Sequence, residues 1–251
     1  MDPLVKIERD DTVATVIIDR PERRNALGSA AAKAIADAIN EASLTARAII
    51  LTGAGEAFCA GGDLEELERW SDLDKQEIGG VLYESFQGMV RAIRASNAIV
   101  IAAVNGAAVG AGMDLALACD LRIASETARF GQVWVRLGVI PGTGGAWLTQ
   151  MHAGATKASE LLLTGRLMDA DEALGCGLVN SVVPAGELLA AARELADTIL
   201  RHPTEGVVAN KRAIVGAQES AVEAALAYAA EVQPDRFTSD EFRTAVRAAL
   251  K

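Results

Sequence analysis

The sequence predicts an α/β fold in which a strand–turn–helix unit is repeated, followed by a helical C-terminal region. Three stretches carry the repeat, because in each of them a short apolar run precedes a glycine-rich turn and then helix-forming residues. These stretches are IILTGAGEAFCAGGDLEEL, VIAAVNGAAVGAGMDLAL and VWVRLGVIPGTGGAWLTQM. A unit that is wound several times brings its turns to one side of the molecule.

The first element is a strand over residues 12–19, where TVATVIID alternates and is rich in β-branched residues. A helix follows in SAAAKAIADAINEA, whose apolar residues recur at helical spacing, and Ser29 is predicted to cap it. Further short buried strands are predicted at 46–53, 100–106 and 121–125.

The composition of the chain changes at about residue 185, where alanine-rich segments with a helical pattern begin. Thr238 and Glu241 fit a capping box at the start of the last helix. The breaks between helices are predicted at Pro203, Gly206 and Pro234. We therefore divide the chain into a core at 1–184 and a helical region at 185–251, which packs on that core or on a neighbouring subunit.

Composition excludes several classes of function. The chain has 251 residues and a net charge of −10 without a Lys/Arg run, which argues against a nucleic-acid partner. No run of about 18 apolar residues exists, so no membrane span is expected. The first residues carry no apolar signal core, and a cytoplasmic location is expected. The widely spaced cysteines indicate reduced, buried thiols and no metal site; they are Cys59, Cys119 and Cys176.

The glycine-rich turns do not match the usual nucleotide or nucleophile motifs. The turns at Gly53 and Gly110 begin like the dinucleotide fingerprint but end on Phe58 and Leu115. The chain has no P-loop, no GxSxG and no HExxH. Small residues can instead aim backbone N–H groups at one point, and two such groups make an oxyanion hole. The alternative is that CAGGDL and VGAGMDL are only tight turns between strand and helix.

Four motifs occur in order: DRPERRNAL, LTGAGEAFCAGGDL, AAVNGAAVGAGMDLALACDLRIAS and ARFGQVWVRLGVIPGTGGAWL. With them the chain resembles the crotonase superfamily of enoyl-CoA hydratases and isomerases over nearly its whole length. The resemblance implies a ClpP-like spiral of ββα units with a C-terminal trimerisation region. It also implies acyl-CoA thioester ligands, assembly into trimers or dimers of trimers, and no cofactor apart from the coenzyme A of the substrate.

The resemblance assigns the two oxyanion donors to Gly62, in AGGD, and to Ala111, in GAGMD, where relatives usually carry glycine. Arg24 matches a basic position near the phosphates of coenzyme A, with Arg20 and Arg23 as alternatives. The loop around Ala60, Asp63 and Leu64 is expected near the adenine. The full set of implied substrate-binding residues is Arg24, Ala26, Ala60, Asp63, Leu64, Trp134 and Gly142.

The acid/base positions depart from the family pattern. The two glutamates of hydratases fall on Asp114 and Trp134, and a carboxylate position of some isomerases falls on Gly142. We favour Asp114 as a general acid/base, the alternative being a carboxylate that caps its own helical turn. Trp134 is interpreted as a pocket wall or as an ordinary core aromatic. The sequence does not decide whether Tyr83, Glu84 or Gln87 contacts the acyl group.

With these residues, the resemblance implies an acyl-CoA enzyme that stabilises a thioester enolate with a single carboxylate. Efficient hydration by the two-carboxylate route is not expected, because Trp134 cannot ionise. One-base chemistry fits better, such as a double-bond shift, C–C cleavage or decarboxylation. The other hypotheses are an acyl-CoA-binding homologue with little or no catalysis and a structural subunit of a lipid-metabolising assembly.

Overall fold

The computed structural model describes residues 3–251. Its strands are β1 Val5–Asp10, β2 Val13–Ile18, β3 Ala48–Gly53, β4 Ala57–Cys59, β5 Ile99–Val104, β6 Ala107–Val109, β7 Leu121–Ser125, β8 Arg129–Gly131, β9 Leu167–Asp169 and β10 Ser181–Val183. Its α-helices are α1 Ser29–Ala42, α2 Leu64–Trp70, α3 Lys75–Val81, α4 Gly88–Ala95, α5 Ala111–Ala118, α6 Gly145–Thr164, α7 Ala170–Gly175, α8 Leu188–Leu200, α9 Thr204–Phe237 and α10 Asp240–Ala249. Shorter helical segments are Pro21–Arg23, Leu82–Gln87, Val133–Leu137 and Ala185–Glu187.

The strands form two sheets. The larger sheet has the order β1-β2-β3-β5-β7-β10 and is parallel except for the β1–β2 pair. The smaller has the order β4-β6-β8-β9 and is parallel except for the β8–β9 pair. Three successive units, β3-β4-α2, β5-β6-α5 and β7-β8-α6, each give one strand to each sheet and then a helix. This confirms the predicted α/β fold of repeated ββα units.

Both faces of the larger sheet are covered. Every residue of β3 and β5 is buried, as parallel strands between two helical layers require. Helices α1 and α4 belong to the main core on one face. Helix α8 packs on β3, β5 and β7 and buries Leu188, Ala192 and Ala196 against the other face. Helix α9 contacts α3 and α6, and α10 contacts α2 and the Val133–Leu137 segment.

One stretch of the predicted repeat has a different structure. VWVRL is a 3₁₀ helix, Val133–Leu137, and the strands of the third unit are β7 and β8. The segment ends at Gly138, whose φ of 70° is in the left-handed region that favours glycine. A short apolar run is ambiguous between strand and helix, and here the chain turns instead of extending.

The cap predicted for α1 is wrong. Gly28 is the N-cap residue, and Ser29 is the first residue of the helix. The Ser29 backbone N–H donates to the Glu66 carboxylate at 2.7 Å. A side chain from α2, 37 positions away in sequence, therefore supplies an acceptor to the first turn of α1, in place of the predicted cap by the Ser29 hydroxyl.

Two of the breaks predicted in the C-terminal region do not occur. Helix α9 runs continuously from Thr204, directly after Pro203, to Phe237. Gly206 lies in its first turn and Pro234 in its last turn. The Gly206 N–H lies in the first turn, where N–H groups have no partner within the helix. Pro234 has no N–H and removes one backbone hydrogen bond, but the helix ends within one turn of it.

The last helix has a cap one residue later than predicted. Ser239, not Thr238, is the N-cap residue of α10, and its hydroxyl accepts from the Phe242 N–H at 3.2 Å. The expected capping box with Glu241 is therefore wrong. Thr238 instead ends α9, where its hydroxyl donates to the Pro234 carbonyl.

The three cysteines carry free thiols. Cys59 and Cys119 are buried, as expected, whereas Cys176 is only half-buried. Burial raises the pKa of both Cys59 and Cys119 to about 12. Among residues 3–251, no helix is both long enough and apolar enough to cross a membrane.

Candidate active site

The two small-residue turns predicted from the sequence lie side by side. Strands β4 and β6, which lead into them, pair in parallel. Gly61 has a φ of 108°, and a Cβ there would lie 2.9 Å from the Val109 carbonyl oxygen. A Cβ at Gly112 would overlap the Cys59 carbonyl. Glycine is therefore needed at both positions for the turns to approach each other.

Each turn presents one backbone N–H without a partner among residues 3–251. Hydrogen bonds from the Leu27 N–H to the Gly61 carbonyl at 2.7 Å and from the Asp63 N–H to the Leu27 carbonyl at 2.8 Å hold the turn on either side of Gly62. The Gly62 N–H itself donates to no described residue. Ala111 is the first residue of α5, so its N–H has no partner within the helix. The resemblance assigned the oxyanion donors to these same two residues.

A cavity of about 320 Å³, the outer cavity, lies beside the first turn. Among its lining residues, five were predicted: Arg24, Ala60, Gly62, Leu64 and Trp134. The remaining ones are Gly61, Leu67, Val109, Gly110, Val133, Arg136, Leu137, Leu167 and Ala249. Leu67 had a sequence signal, because Leu64, Leu67 and Trp70 follow each other at a spacing of three in a charged helix. The outer cavity is therefore mainly apolar, with two arginines at its wall.

The three arginines near the first turn have different roles. Arg20 and Arg23 both form ion pairs with Asp63, at 3.2 and 3.0 Å, and Arg23 also pairs with Glu65. Arg24 forms no ion pair within the described part of the chain and lines the outer cavity. Of the three candidates for a phosphate contact, Arg24 is thus the one whose charge is available.

Asp63 and Ala26 were predicted to bind substrate, but neither lines the outer cavity. Asp63 is buried and caps α2 by accepting from the Glu66 N–H. Burial alone would raise its pKa, but hydrogen bonds from Arg20, Arg23 and that N–H outweigh burial, and the pKa lies below its ordinary value. The Ala26 carbonyl accepts from Arg20 at 2.5 Å. Asp63 and Ala26 therefore support the first turn through these hydrogen bonds and do not line the outer cavity.

Asp114 is fully buried in the first turn of α5. Its Oδ1 accepts from Gln132 Nε2 at 2.7 Å, and its Oδ2 accepts from the Thr143 hydroxyl. Gly145 leaves the space for this carboxylate, because a Cβ there would overlap it. No backbone N–H of α5 donates to Asp114, so the interpretation as a cap of its own turn is wrong.

The environment of Asp114 shifts its ionisation towards neutral pH. Burial raises the pKa of Asp114 from 3.8 to about 6. Hydrogen bonds from Gln132 and Thr143 act in the opposite direction, as does the nearby indole N–H of Trp134. Asp114 does not line the outer cavity, and neither does Ala111. Access to this carboxylate from the cavity therefore requires a movement of the residues around it.

Trp134 forms part of the wall of the outer cavity and of a second, inner cavity of about 10 Å³. It is 7% exposed, and its Nε1 is buried without a hydrogen-bond partner. Gln132 Oε1 is also buried and unpartnered. Gly142 lines the inner cavity, not the outer one, and its carbonyl accepts from Gln87 Nε2 at 3.2 Å.

The candidates left open on the helix after α3 do not line either cavity. Gln87 is buried and holds the carbonyls of Gly142 and Leu226 in place. Tyr83 is 57% exposed, with the Arg91 guanidinium 4.5 Å from its ring centre. Glu84 is exposed.

Comparison with known proteins places the chain in one family. A sequence model described as Enoyl-CoA hydratase/isomerase matches residues 8–250. The chain is 37% identical over 250 residues to a short-chain-enoyl-CoA hydratase of Clostridium acetobutylicum, covering 98% of this chain and 94% of that protein. It is 34% identical over 248 residues to a crotonyl-CoA hydratase of Syntrophomonas wolfei, with 98% and 94% coverage.

The fold has close counterparts among solved structures. An enoyl-CoA hydratase/isomerase from Mycobacterium paratuberculosis superposes with a TM-score of 0.89 at 30% sequence identity, and 99% of each chain is covered. The match extends over both sheets and the C-terminal helices. On the agreement of sequence, fold and paired turns, the chain belongs to the enoyl-CoA hydratase/isomerase family of the crotonase superfamily.

Proposed function

We propose that this protein is an acyl-CoA thioester enzyme that stabilises a thioester enolate with the backbone N–H groups of Gly62 and Ala111. The observation that carries the proposal is the pair of unpartnered N–H groups on two turns packed against each other beside the outer cavity. Preorganised donors of this kind stabilise the charge that develops on the thioester oxygen. Coenzyme A enters as part of the substrate, and Arg24 is available to its phosphates.

Asp114 is the proposed acid/base. A carboxylate with a pKa of about 6 is ionised at neutral pH, so it can take a proton from the α- or γ-carbon and return it. The names of the relatives make hydration of a short-chain enoyl thioester the first reaction to assay. Those names give no support to weak hydration, which stays a prediction based on Trp134 at the position of the second carboxylate.

We expect the protein to bind butyryl-CoA and to exchange a substrate carbon proton with solvent deuterium, measured by mass spectrometry. Hydration of crotonyl-CoA, followed by its absorbance, is expected to be slower than this exchange. The thioether analogue of butyryl-CoA is the matched control, since it lacks the carbonyl oxygen that the two N–H groups would hold. Absence of saturable binding to any acyl-CoA would contradict the proposal.

A second candidate function is acyl-CoA binding with little turnover. It is favoured by the position of Asp114, which is fully buried and separated from the outer cavity in this conformation. Binding without exchange, hydration or any other product across a panel of acyl-CoAs would select this function over the first.

We also propose that the protein is a homotrimer or a dimer of trimers. Large apolar side chains are exposed on α8 and α9, with Leu189 at 52%, Ile214 at 61% and Tyr228 at 61%. An open cavity of about 640 Å³ under α9 is lined largely by apolar residues, Ile214 among them. A second copy of the chain would cover this surface.

Light scattering at micromolar protein concentration is expected to give the mass of a trimer or hexamer. Ile214→Glu places a charge in the apolar surface and should shift the protein towards the monomer. Glu205→Gln, on the exposed start of the same helix, is the control that should leave the mass unchanged. A monomeric wild-type protein would contradict this assignment.

A further inference from the structure

The outer and inner cavities share a wall made of two side chains. Leu67, on α2, and Trp134, on the Val133–Leu137 segment, are the two residues that line both cavities. Both are buried, at 3% and 7% exposure. Leu67 is fixed because the N-cap of its helix, Asp63, is held by two arginines.

The space behind this wall is too small for an acyl chain. The inner cavity measures about 10 Å³, about what a single water needs. Its other walls include Trp70, Phe86 and Phe237, which pack edge to face. The Trp70 ring centre lies 5.6 Å from that of Phe86 and 5.1 Å from that of Phe237. Such packing is close to its optimum, so the cluster resists opening.

The wall lies directly against the two turns of the proposed oxyanion hole. A Cβ at Gly62 would lie 2.7 Å from Leu67 Cδ1, and a Cβ at Gly110 would lie 3.5 Å from Trp134 Cε2. Leu67 therefore contacts the turn of the first donor, and Trp134 contacts the residue before the second. The wall therefore lies next to the point from which an acyl chain extends when its carbonyl oxygen is held by these donors.

We infer that Leu67 and Trp134 are specificity-determining residues that restrict the enzyme to short acyl thioesters by closing the inner end of the acyl site. This inference rests on the proposed function, because it takes the two N–H groups as the place where the thioester is held. Shortening either wall side chain frees that side chain's own volume between the outer cavity and the aromatic cluster, which itself stays closed. Longer acyl chains then gain an apolar subsite.

The test measures affinity for butyryl-, hexanoyl- and octanoyl-CoA by calorimetry, which requires no turnover. For the wild type, affinity should change by no more than about twofold from butyryl to octanoyl. Each methylene that enters an apolar subsite is worth about fourfold in affinity, or about 0.8 kcal/mol. Leu67→Ala and Trp134→Phe should therefore raise the octanoyl-to-butyryl affinity ratio at least about tenfold.

Leu161→Ala is the matched control, because Leu161 is buried in α6 and lines neither cavity, and its affinity ratio should stay at the wild-type value. Leu67→Val removes less packing and keeps the test available if Leu67→Ala does not fold. A wild type that gains fourfold per methylene, or folded wall variants with an unchanged ratio, would overturn the inference. Failure of the wild type to bind even butyryl-CoA would instead overturn the proposed function.

Discussion

Asp114→Asn is expected to lower the rate of proton exchange at the substrate carbon by about 10²–10⁴-fold, the usual contribution of a positioned acid/base. Butyryl-CoA affinity should change little, because Asp114 does not line the outer cavity. The substitution is nearly isosteric. The unpartnered Gln132 Oε1 can accept from the new amide if the Gln132 side chain rotates about its terminal bond.

The same variant should change how stability depends on pH. The folded protein holds a proton on Asp114 up to about pH 6, whereas the unfolded chain releases it near the ordinary pKa of 3.8. The folded state is therefore favoured most below pH 4, and this contribution is lost as the pH rises to about 6. The difference between pKa 3.8 and about 6 corresponds to about 3 kcal/mol.

Asp114→Asn should remove this loss of stability between pH 4 and about pH 6, because asparagine does not ionise. Its free energy of unfolding relative to the wild type is expected to increase by up to about 3 kcal/mol between pH 4 and pH 7, measured by denaturant titration. Thr143→Val is the matched control for exchange. It keeps the carboxylate but removes a hydrogen bond that lowers the pKa of Asp114, so the pH at which exchange begins should move upward. Undiminished exchange by a folded Asp114→Asn protein would exclude Asp114 as the acid/base.

Ala111→Pro is expected to reduce the exchange rate at saturating substrate by about 10²–10³-fold, the effect of losing one oxyanion donor. Proline has no N–H, and the first position of a helix is the one that tolerates it best. Gly110 has φ 54° and ψ −119°, the mirror image of the extended conformation that residues before proline prefer. Glycine adopts either hand, so the helix should still form.

Ala111→Gly is the control for this prediction, since it retains the N–H and removes only the methyl group. Its exchange rate should equal or exceed that of the wild type, because the approach to the donor is wider. Comparing the rate at saturation with butyryl-CoA affinity separates lost transition-state stabilisation from a blocked pocket. A folded Ala111→Pro protein with the wild-type rate would show that this N–H does not stabilise the reacting oxygen.

Much of the fold could be predicted because it depends on local patterns. Alternating and β-branched runs place β2, β3, β5 and β7 within two residues of their observed ends. Helix ends were predicted less well. At Thr238 the adjacent Ser239 offers the same kind of hydroxyl and is the cap, and at Ser29 the group that satisfies a terminal N–H comes from elsewhere in the chain. In α1 that group is Glu66 of another helix.

The candidate site, too, could be predicted where it depends on neighbouring residues but not where it depends on distant ones. Short stretches of the sequence already show the small residues around Gly62 and Ala111. They also show that the carboxylate of Asp114 has apolar neighbours. The partners of Asp114 are not, since Gln132 and Thr143 lie 18 and 29 positions away. The sequence also does not show which arginine near the turn is available for a phosphate. In the structure, ion pairs with Asp63 occupy Arg20 and Arg23.

The ββα spiral, the two donor positions and the single carboxylate among the acid/base positions were predicted from the resemblance to the crotonase superfamily. By itself, the sequence determined the repeated strand–turn–helix unit, the small-residue turns and the carboxylate of Asp114 among apolar neighbours. These follow from residue size, backbone freedom and periodicity, which act over a few neighbouring residues. Only the tertiary structure decided that Asp114 is fully buried and that Leu67 and Trp134 together form the wall between the outer and inner cavities. Burial and contact between distant segments depend on how helices and turns pack in three dimensions, and no local pattern of residues records that packing.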